Sequence, residues 1–381
     1  MSQSHLQRPP RILYLVNVLG SGGSERNIAM ICKHIDQGRF RPEVWTLIEG
    51  GDYEHHVRGA GVPIRCLRRG RSYNPFFALY AARQIARSGA DVIHAFSPAI
   101  AFYAALARRL FGLRRPMIYY EGNSRDLGSS WKISCTHWTA RQFTHLMANS
   151  AASAKHLASK VSNSAEIRVI HNGHATDAWK PDGQRVAVRG RLGISPDAQL
   201  AVFVGRLAEQ KRVCDLVDAV GRIVGRYPRL RVIVIGDGPL EAELKQQAQR
   251  ERLENVILFL GWRSDVPQLL MASDLFVYPS RFDGLANAVI EAALAGLPIV
   301  ACDADGVRDV VRHDEHALLV PPQHADQFAA AIVDVLENPQ QARARAQAAQ
   351  QHAQQSYAIG SSLEKLVSFY DEILAERRGD R

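Results

Sequence analysis

Short apolar runs alternate with amphipathic stretches from residue 12 to residue 170, and after a turn-rich segment the same alternation begins again near residue 200. That order is the pattern of a parallel sheet whose strands are joined by helical crossovers. In the first half it predicts strands at 12–18, 43–48, 92–95, 117–120, 145–148 and 167–170, with helices between them, among them 25–35 and 76–87. In the second half it predicts strands at 200–204, 231–235, 255–260, 275–278 and 299–302. The break at 171–183, HNGHATDAWKPDG, carries Asn-Gly, Pro and Asp-Gly and reads as a linker. With 381 residues the chain exceeds one ordinary hydrophobic core. The expected fold class is therefore α/β: two Rossmann-like, doubly wound domains, residues 1–175 and 176–381, whose strand ends face a cleft where ligands bind. The last amphipathic segment, 363–374, reads as a closing helix, and the sequence leaves open which half it packs on.

The longest early apolar run, 12–20, is too short to span a bilayer and has no cleavage-site pattern, so neither a signal peptide nor a transmembrane helix is expected. Five cysteines are scattered without CxxC spacing, which suits a reducing cytosol and offers no disulfide framework and no zinc site. The Gln/Ala/Arg-rich run 340–355 reads as an exposed helix. Charge is uneven. Residues 1–180 hold 24 Lys and Arg against 11 Asp and Glu, whereas residues 181–381 hold 23 against 27. A basic first half implies an anionic partner. Segments 65–87, 104–115 and 131–143 mix Arg or Lys with aromatic residues or Leu. They fit interfacial helices on an anionic membrane surface, and equally amphipathic helices that cover a sheet. No recognised nucleic-acid module accompanies the charge, so nucleic acid is not the expected partner. The expected location is cytoplasmic, or peripheral on the inner face of the cytoplasmic membrane.

Glu291 is the only charge in Gly284 to Ala301, GLANAVIEAALAGLPIVA, which reads as a helix apolar on most faces followed by a buried strand. A carboxylate there costs several kcal/mol unless it is hydrogen-bonded. Asp283 stands eight residues earlier and is expected at the start of the same helix. Two carboxylates about 12 Å apart along such a helix would bracket one elongated, hydroxyl-rich, phosphorylated ligand. The alternative is that Glu291 pairs with a core arginine and Asp283 caps the helix. The first strand of the second half ends in Gly205-Arg206-Leu207, with Gln210-Lys211 expected to open the next helix. Arg206 and Lys211 then lie beside a helix N-terminus, where phosphate is favoured, or are ordinary surface cations. The next strand ends in Gly236-Asp237-Gly238-Pro239, where glycines permit close backbone approach. In the first half, Gly20-Ser21-Gly22-Gly23-Ser24-Glu25 follows the first strand. It lacks full G-x-G-x-x-G spacing, and it reads as a glycine turn near the cleft with room for a sugar or phosphate.

VGRLAEQK, GDGP, FLGW, ASDLFVYPSRFDGLANAVIEAALAGLPIVA, VIHNG and GSGGSERN together resemble the retaining glycosyltransferases of family 4, which have the GT-B fold. The resemblance covers most of residues 12–340 and is most specific in 199–302. It implies that Arg206 and Lys211 contact the donor diphosphate and that the family's paired acids are Asp283 and Glu291. Glu291 would hold the nucleotide ribose. Asp283 would lie beside the donor sugar, and Gly284, Leu285, Ala286 and Asn287 would offer backbone groups to sugar and phosphate. Gly236 and Asp237 join the donor-binding set, and Gly22 and Gly23 the cleft loop. Two departures stand out. The first acid is Asp283 where the family has Glu, and Glu121-Gly122-Asn123-Ser124-Arg125 occupies the place where many members carry a histidine. Glu121 is the candidate for that role, or Arg125; His94 matches a common family histidine or is a core histidine at a strand end. Asp303-Ala304-Asp305 spells D-x-D, a metal motif of a different fold, whereas the resemblance implies metal-independent chemistry with no cofactor.

The implied activity is transfer of a sugar from a nucleotide-diphosphate sugar, UDP favoured, to a glycan or lipid-linked glycan in cell-surface polysaccharide or glycolipid synthesis. Two competing readings are a nucleotide-sugar epimerase or other Rossmann enzyme, and a non-catalytic nucleotide-sugar-binding homologue. Product formed without acceptor marks the first, and binding without turnover marks the second.

Overall fold

The computed structural model describes residues 8–20, 22–70, 74–126, 129–161, 166–176, 179 and 183–379. Among these residues two all-parallel sheets form. The first contains β1 (Arg11–Val16), β2 (Arg41–Thr46), β3 (Ile64–Cys66), β4 (Val92–Ala95), β5 (Met117–Glu121), β6 (His145–Ala148) and β7 (Ile167–Val169), in the order β3-β2-β1-β4-β5-β6-β7. The second contains β8 (Gln199–Val204), β9 (Leu230–Ile235), β10 (Ile257–Gly261), β11 (Leu275–Tyr278), β12 (Ile299–Cys302) and β13 (Leu318–Val320), in the order β10-β9-β8-β11-β12-β13. The two orders share one logic. The chain builds outward from its first strand, returns, and continues on the other side, so a switch point opens between β1 and β4 and another between β8 and β11. In open parallel sheets, ligands bind beyond the carboxyl ends of the strands at such points.

The strands are continuous apolar runs because both faces are covered. Along β1, Leu13 and Leu15 face one core with Ala81, Ala82 and Ile85 of the helix Pro75–Ala86. Ile12, Tyr14 and Val16 face the other, with Ile28, Ile31 and Cys32 of the helix Gly23–His34. Leu366, Phe369, Tyr370 and Ile373 of the last helix, Ile359–Gly379, pack into that second core. Residue contacts accordingly divide the chain into a first unit, Met1–Gly173 with Ile359–Arg381, and a second unit, His174–Ala358. The closing helix belongs to the first unit, and the division falls at 173/174 and 358/359.

Several local expectations need correction. β3 and β13, each three residues long at a sheet edge, carry no sequence signal strong enough to mark them. Asp283 does not open a helix. The helix holding Glu291 is Asn287–Leu294, and Asp283 lies in the preceding loop, so the two carboxylates are not spaced along one rod. Lys211 closes a short 3-10 turn, Glu209–Lys211; Arg212 then turns into the left-handed region at φ 49° before the helix Val213–Ile223 begins. The alanine-rich helix Pro339–Ser356 is exposed on one side only, since Ala342, Ala346, Ala349 and Ala353 are buried. Part of the 171–183 linker lies outside the described residues. Among the described residues, no helix is long and apolar enough to cross a membrane.

Candidate active site

In the second unit, four loops beyond the strand ends lean on one another around the β8/β11 switch point. The turn after β8 and the turn after β9 are joined by Leu207 N–H donating to the Asp237 carbonyl at 2.7 Å. Gly236, at φ 126°, presses so closely on that turn that a Cβ would come within 2.1 Å of the Gly205 carbonyl oxygen. Only glycine fits there without moving backbone. The loop after β11 is tied to the 3-10 turn by Arg281 N–H donating to the Gln210 carbonyl at 2.8 Å. Gly306, in the loop after β12, closes the set. A Cβ at Gly306 would lie 2.5 Å from the Asp283 carbonyl oxygen and 2.6 Å from that of Gly284.

These loops bring together two of the sequence-predicted groups. The Lys211 ammonium lies 2.5 Å from Asp283 Oδ1. The Tyr278 hydroxyl, at the end of β11, completes the cluster: Lys211 Nζ donates to it at 2.5 Å, and it donates to Asp283 Oδ2 at 2.9 Å. Tyr278 is buried between Phe203 and Phe276, with ring centroids at 5.9 and 5.7 Å, so its hydroxyl is held in place by packing. Burial alone would lower the Lys211 pKa, but the Asp283 charge and the Tyr278 hydroxyl outweigh it, and the ammonium is held above its usual range. The Tyr278 phenol is raised by burial and by Asp283. The cluster therefore keeps a fixed cation at the switch point. Arg206 is exposed just after β8, next in the chain to Gly205, where a Cβ would lie 3.8 Å from Lys211 Cε, and Asp237 is exposed on the adjoining turn.

Gly284, Leu285 and Ala286 are buried in the loop that follows, and Ala286 N–H donates to the Gly306 carbonyl at 3.3 Å. Asn287 opens the helix, and Glu291 stands one turn later on the same face, 6% exposed. The Asn287 amide oxygen is 3.3 Å from His174 Nε2, which ties the first residue of the second unit to this helix. Sequence reasoning missed Tyr278, Gly306 and His174. A tyrosine ending an apolar strand reads as core, and the other two carry no spacing signal.

The first unit places its candidates differently. Gly22 caps the helix Gly23–His34, with its carbonyl accepting from Arg26 N–H at 3.0 Å, while Ser21 lies outside the described residues. His94 is wholly interior. Its Nδ1 is 2.9 Å from the Tyr370 hydroxyl of the last helix, and Phe96 lies against its ring at 4.2 Å. Burial drives its pKa down to about 3, so the ring is neutral at physiological pH. Glu121 ends β5 inside an ion pair, with Lys160 Nζ at 2.5 Å and its other oxygen accepting from Asn123 N–H at 3.0 Å. Neither group meets solvent, so their surroundings are those of core residues. Asp303 of the D-x-D sequence has both carboxylate oxygens on Arg308, at 2.5 and 2.9 Å.

The family model for group 1 glycosyl transferases matches residues 198–338, and the model for glycosyltransferase family 4 matches residues 21–178. EpsF of Bacillus subtilis strain 168, named a glycosyltransferase, is 24% identical over 306 residues, which is 77% of this chain and 79% of that one. The UDP-Gal:alpha-D-GlcNAc-diphosphoundecaprenol alpha-1,3-galactosyltransferase of Escherichia coli is 31% identical over 177 residues, 45% of this chain and 46% of its own length. Among solved structures, the Anabaena protein HepE in complex with UDP and glucose has a TM-score of 0.84 at 24% identity, covering 95% of this chain and all of that one. Two parallel sheets, matched one after the other by these two family models, lead to one conclusion: the chain belongs to glycosyltransferase family 4, with the GT-B fold, and it is a glycosyltransferase.

Proposed function

We propose that this enzyme transfers a hexosyl or N-acetylhexosaminyl group from a UDP-sugar to a glycan or lipid-linked glycan, with retention at the anomeric carbon, in the synthesis of cell-surface polysaccharide or glycolipid. The observation that carries the reading is the Lys211–Asp283–Tyr278 cluster at the β8/β11 switch point. As the bond from the anomeric carbon to the diphosphate breaks, negative charge gathers on the departing phosphate oxygens. Lys211, with Arg206 beside it, is placed to receive that charge, and a cation fixed before the reaction needs no reorganisation during it. Glu291, buried in the helix Asn287–Leu294 one turn after Asn287, takes the ribose hydroxyls. Asp283 stands by the sugar hydroxyls, and the backbone from Gly284 to Asn287 meets sugar and phosphate. The first unit takes the acceptor. HepE was solved with UDP and the Escherichia coli relative is named for UDP-Gal, which favours a uridine donor.

A thermal-shift panel of UDP-, GDP- and ADP-sugars tests the donor. Saturation at roughly a hundred times Kd adds about 2.7 kcal/mol to the fold, a clear rise in Tm. UDP-sugars are expected to give that rise, and Glu291→Ala is expected to lose it while the chain stays folded. A rise with GDP- or ADP-sugars alone would reassign the base. An unchanged rise in Glu291→Ala would remove the ribose role.

A further inference from the structure

Three adjoining helices, Pro75–Ala86, Pro98–Phe111 and Ser130–Ala140, pack on one face of the first sheet, which the helix Ala151–Lys160 also helps to cover. None carries an acidic residue. They lie side by side, linked by ring contacts of 5.5 Å between Phe77 and Tyr103 and 5.9 Å between Phe102 and Trp138. Their outward faces mix cations with large apolar side chains. Phe76 is 81% exposed, Leu79, Tyr80 and Leu110 are each 45–56% exposed, and Trp131 is 57% exposed. In the first helix, Phe76, Leu79, Tyr80 and Arg83 fall on one stripe at i, i+3, i+4 and i+7. Arg83, Arg87, Arg109 and Lys132, in the same helices or at their ends, are exposed as well, and the Lys132 ammonium lies 5.9 Å from the Trp131 ring. Between residues 74 and 115 the one acid is Asp91, and it is paired with Arg115 at 3.6 Å and Arg377 at 3.1 Å. The opposite face of the same sheet lacks this bias: its last helix alone carries Glu364, Asp371, Glu372 and Glu376.

We infer that this three-helix face docks on an anionic phospholipid bilayer. Large aromatic and aliphatic side chains enter the headgroup boundary, while arginine stems lie along them and guanidinium groups meet lipid phosphates. A protein partner fits less well, because it would have to set matching carboxylates among its own apolar groups in one register, whereas an anionic bilayer presents phosphate and hydrocarbon at every point of its surface. A bilayer offers both layers at once. The inference rests on the proposed function in one respect only, that a lipid-linked acceptor would be met at this face; the binding itself needs neither donor nor acceptor.

The test is co-sedimentation of the full chain with vesicles of phosphatidylglycerol and phosphatidylethanolamine, and with phosphatidylcholine vesicles, at low and high salt. Binding is expected to anionic vesicles and to fall as salt rises. The double variant R83E/R109E is expected to lose at least about tenfold in partition, since each basic residue near the surface contributes roughly a factor of five. The control R222E/R250E changes the same charge on exposed helix positions of the second unit and is expected to bind like the wild type. Trp131→Phe is expected to reduce quenching of tryptophan emission by brominated acyl chains. Equal binding to neutral vesicles, wild-type partition by R83E/R109E, or preferential capture of single-stranded RNA at the same salt would each overturn the inference. A UDP-induced rise in Tm, measured on the same samples, reports on the donor site separately.

Discussion

Both units bury a lysine against a carboxylate at 2.5 Å, Glu121–Lys160 in the first and Lys211–Asp283 in the second. The pairs are alike in residue type and distance and unlike in surroundings. Side-chain exposure is 2–3% in the first pair and 10–11% in the second. Lys160 also faces Asp126 at 3.4 Å, and Asp126 is bonded to His137 at 3.1 Å. Burial alone would raise the Asp126 pKa, but His137 and Lys160 hold it below the usual carboxylate range. The charges of the first pair are thus used up by other protein charges. The second pair has a phenol as its third member and lies at a switch point, in a loop set that also carries exposed Arg206. A buried ion pair is therefore no mark of chemistry by itself; what separates these two is whether anything from solvent can reach the cation.

The sharpest way to break this contrast is Lys160→Met. It would strand the Glu121 carboxylate in the interior, at a cost of about 3–5 kcal/mol, read as a large fall in the denaturant midpoint, and E121Q/K160M would recover much of it. A small loss in the single variant would show the first pair to be open to water. Lys211→Met is expected to lower turnover by roughly 10²–10³ with a smaller loss of stability, the reverse of the first case. Wild-type turnover would remove Lys211 from the chemistry.

Protons separate the units next. His94 has its pKa lowered by burial from 6.5 to about 3, so the unfolded chain binds the extra proton first and stability falls as pH drops below 6.5. At pH 5 the loss is about 2 kcal/mol relative to neutral pH. His156 is lowered too, by burial and then by Lys160, and acts in the same direction. The raised Lys211 pKa works at the other end: its contribution is intact below the ordinary lysine range and is lost as pH climbs above it. The first unit is expected to soften in mild acid before the second, seen as earlier hydrogen exchange in β4 and β5, and His94→Phe is expected to flatten the slope. The smallest expected effect is that of Tyr278→Phe, which removes one neutral partner of a charged pair. About 1 kcal/mol, or several-fold in kcat with little change in Tm, is the outcome; a collapse in stability would make the hydroxyl a fold element instead.

Much of the architecture was legible because strands buried on both faces must be apolar runs. β4, β6, β11 and β12 have the bounds their hydrophobicity indicates. β3 and β13 were not, since three residues at an edge need little apolar surface. Asp283 looked like a helix cap because Asp commonly is one, yet the carboxylate is engaged by Lys211 and Tyr278, and the helix waits until Asn287. Glu121 was found as a residue and misjudged in its surroundings, because its partner lies 39 positions away and no local pattern announces it. Long-range pairing decides such roles, and a single sequence records only the ends of it.

The last helix carries a further consequence. The second unit is one continuous stretch, His174–Ala358, whereas the first lacks Leu366, Phe369, Tyr370 and Ile373 until residues 359–379 have been made. Vectorial synthesis on a ribosome usually completes the leading domain first. Here the order inverts: the portion translated earliest is sealed last, and a nascent chain halted before residue 359 would leave His94 without its tyrosine and part of one side of the first sheet open to chaperones.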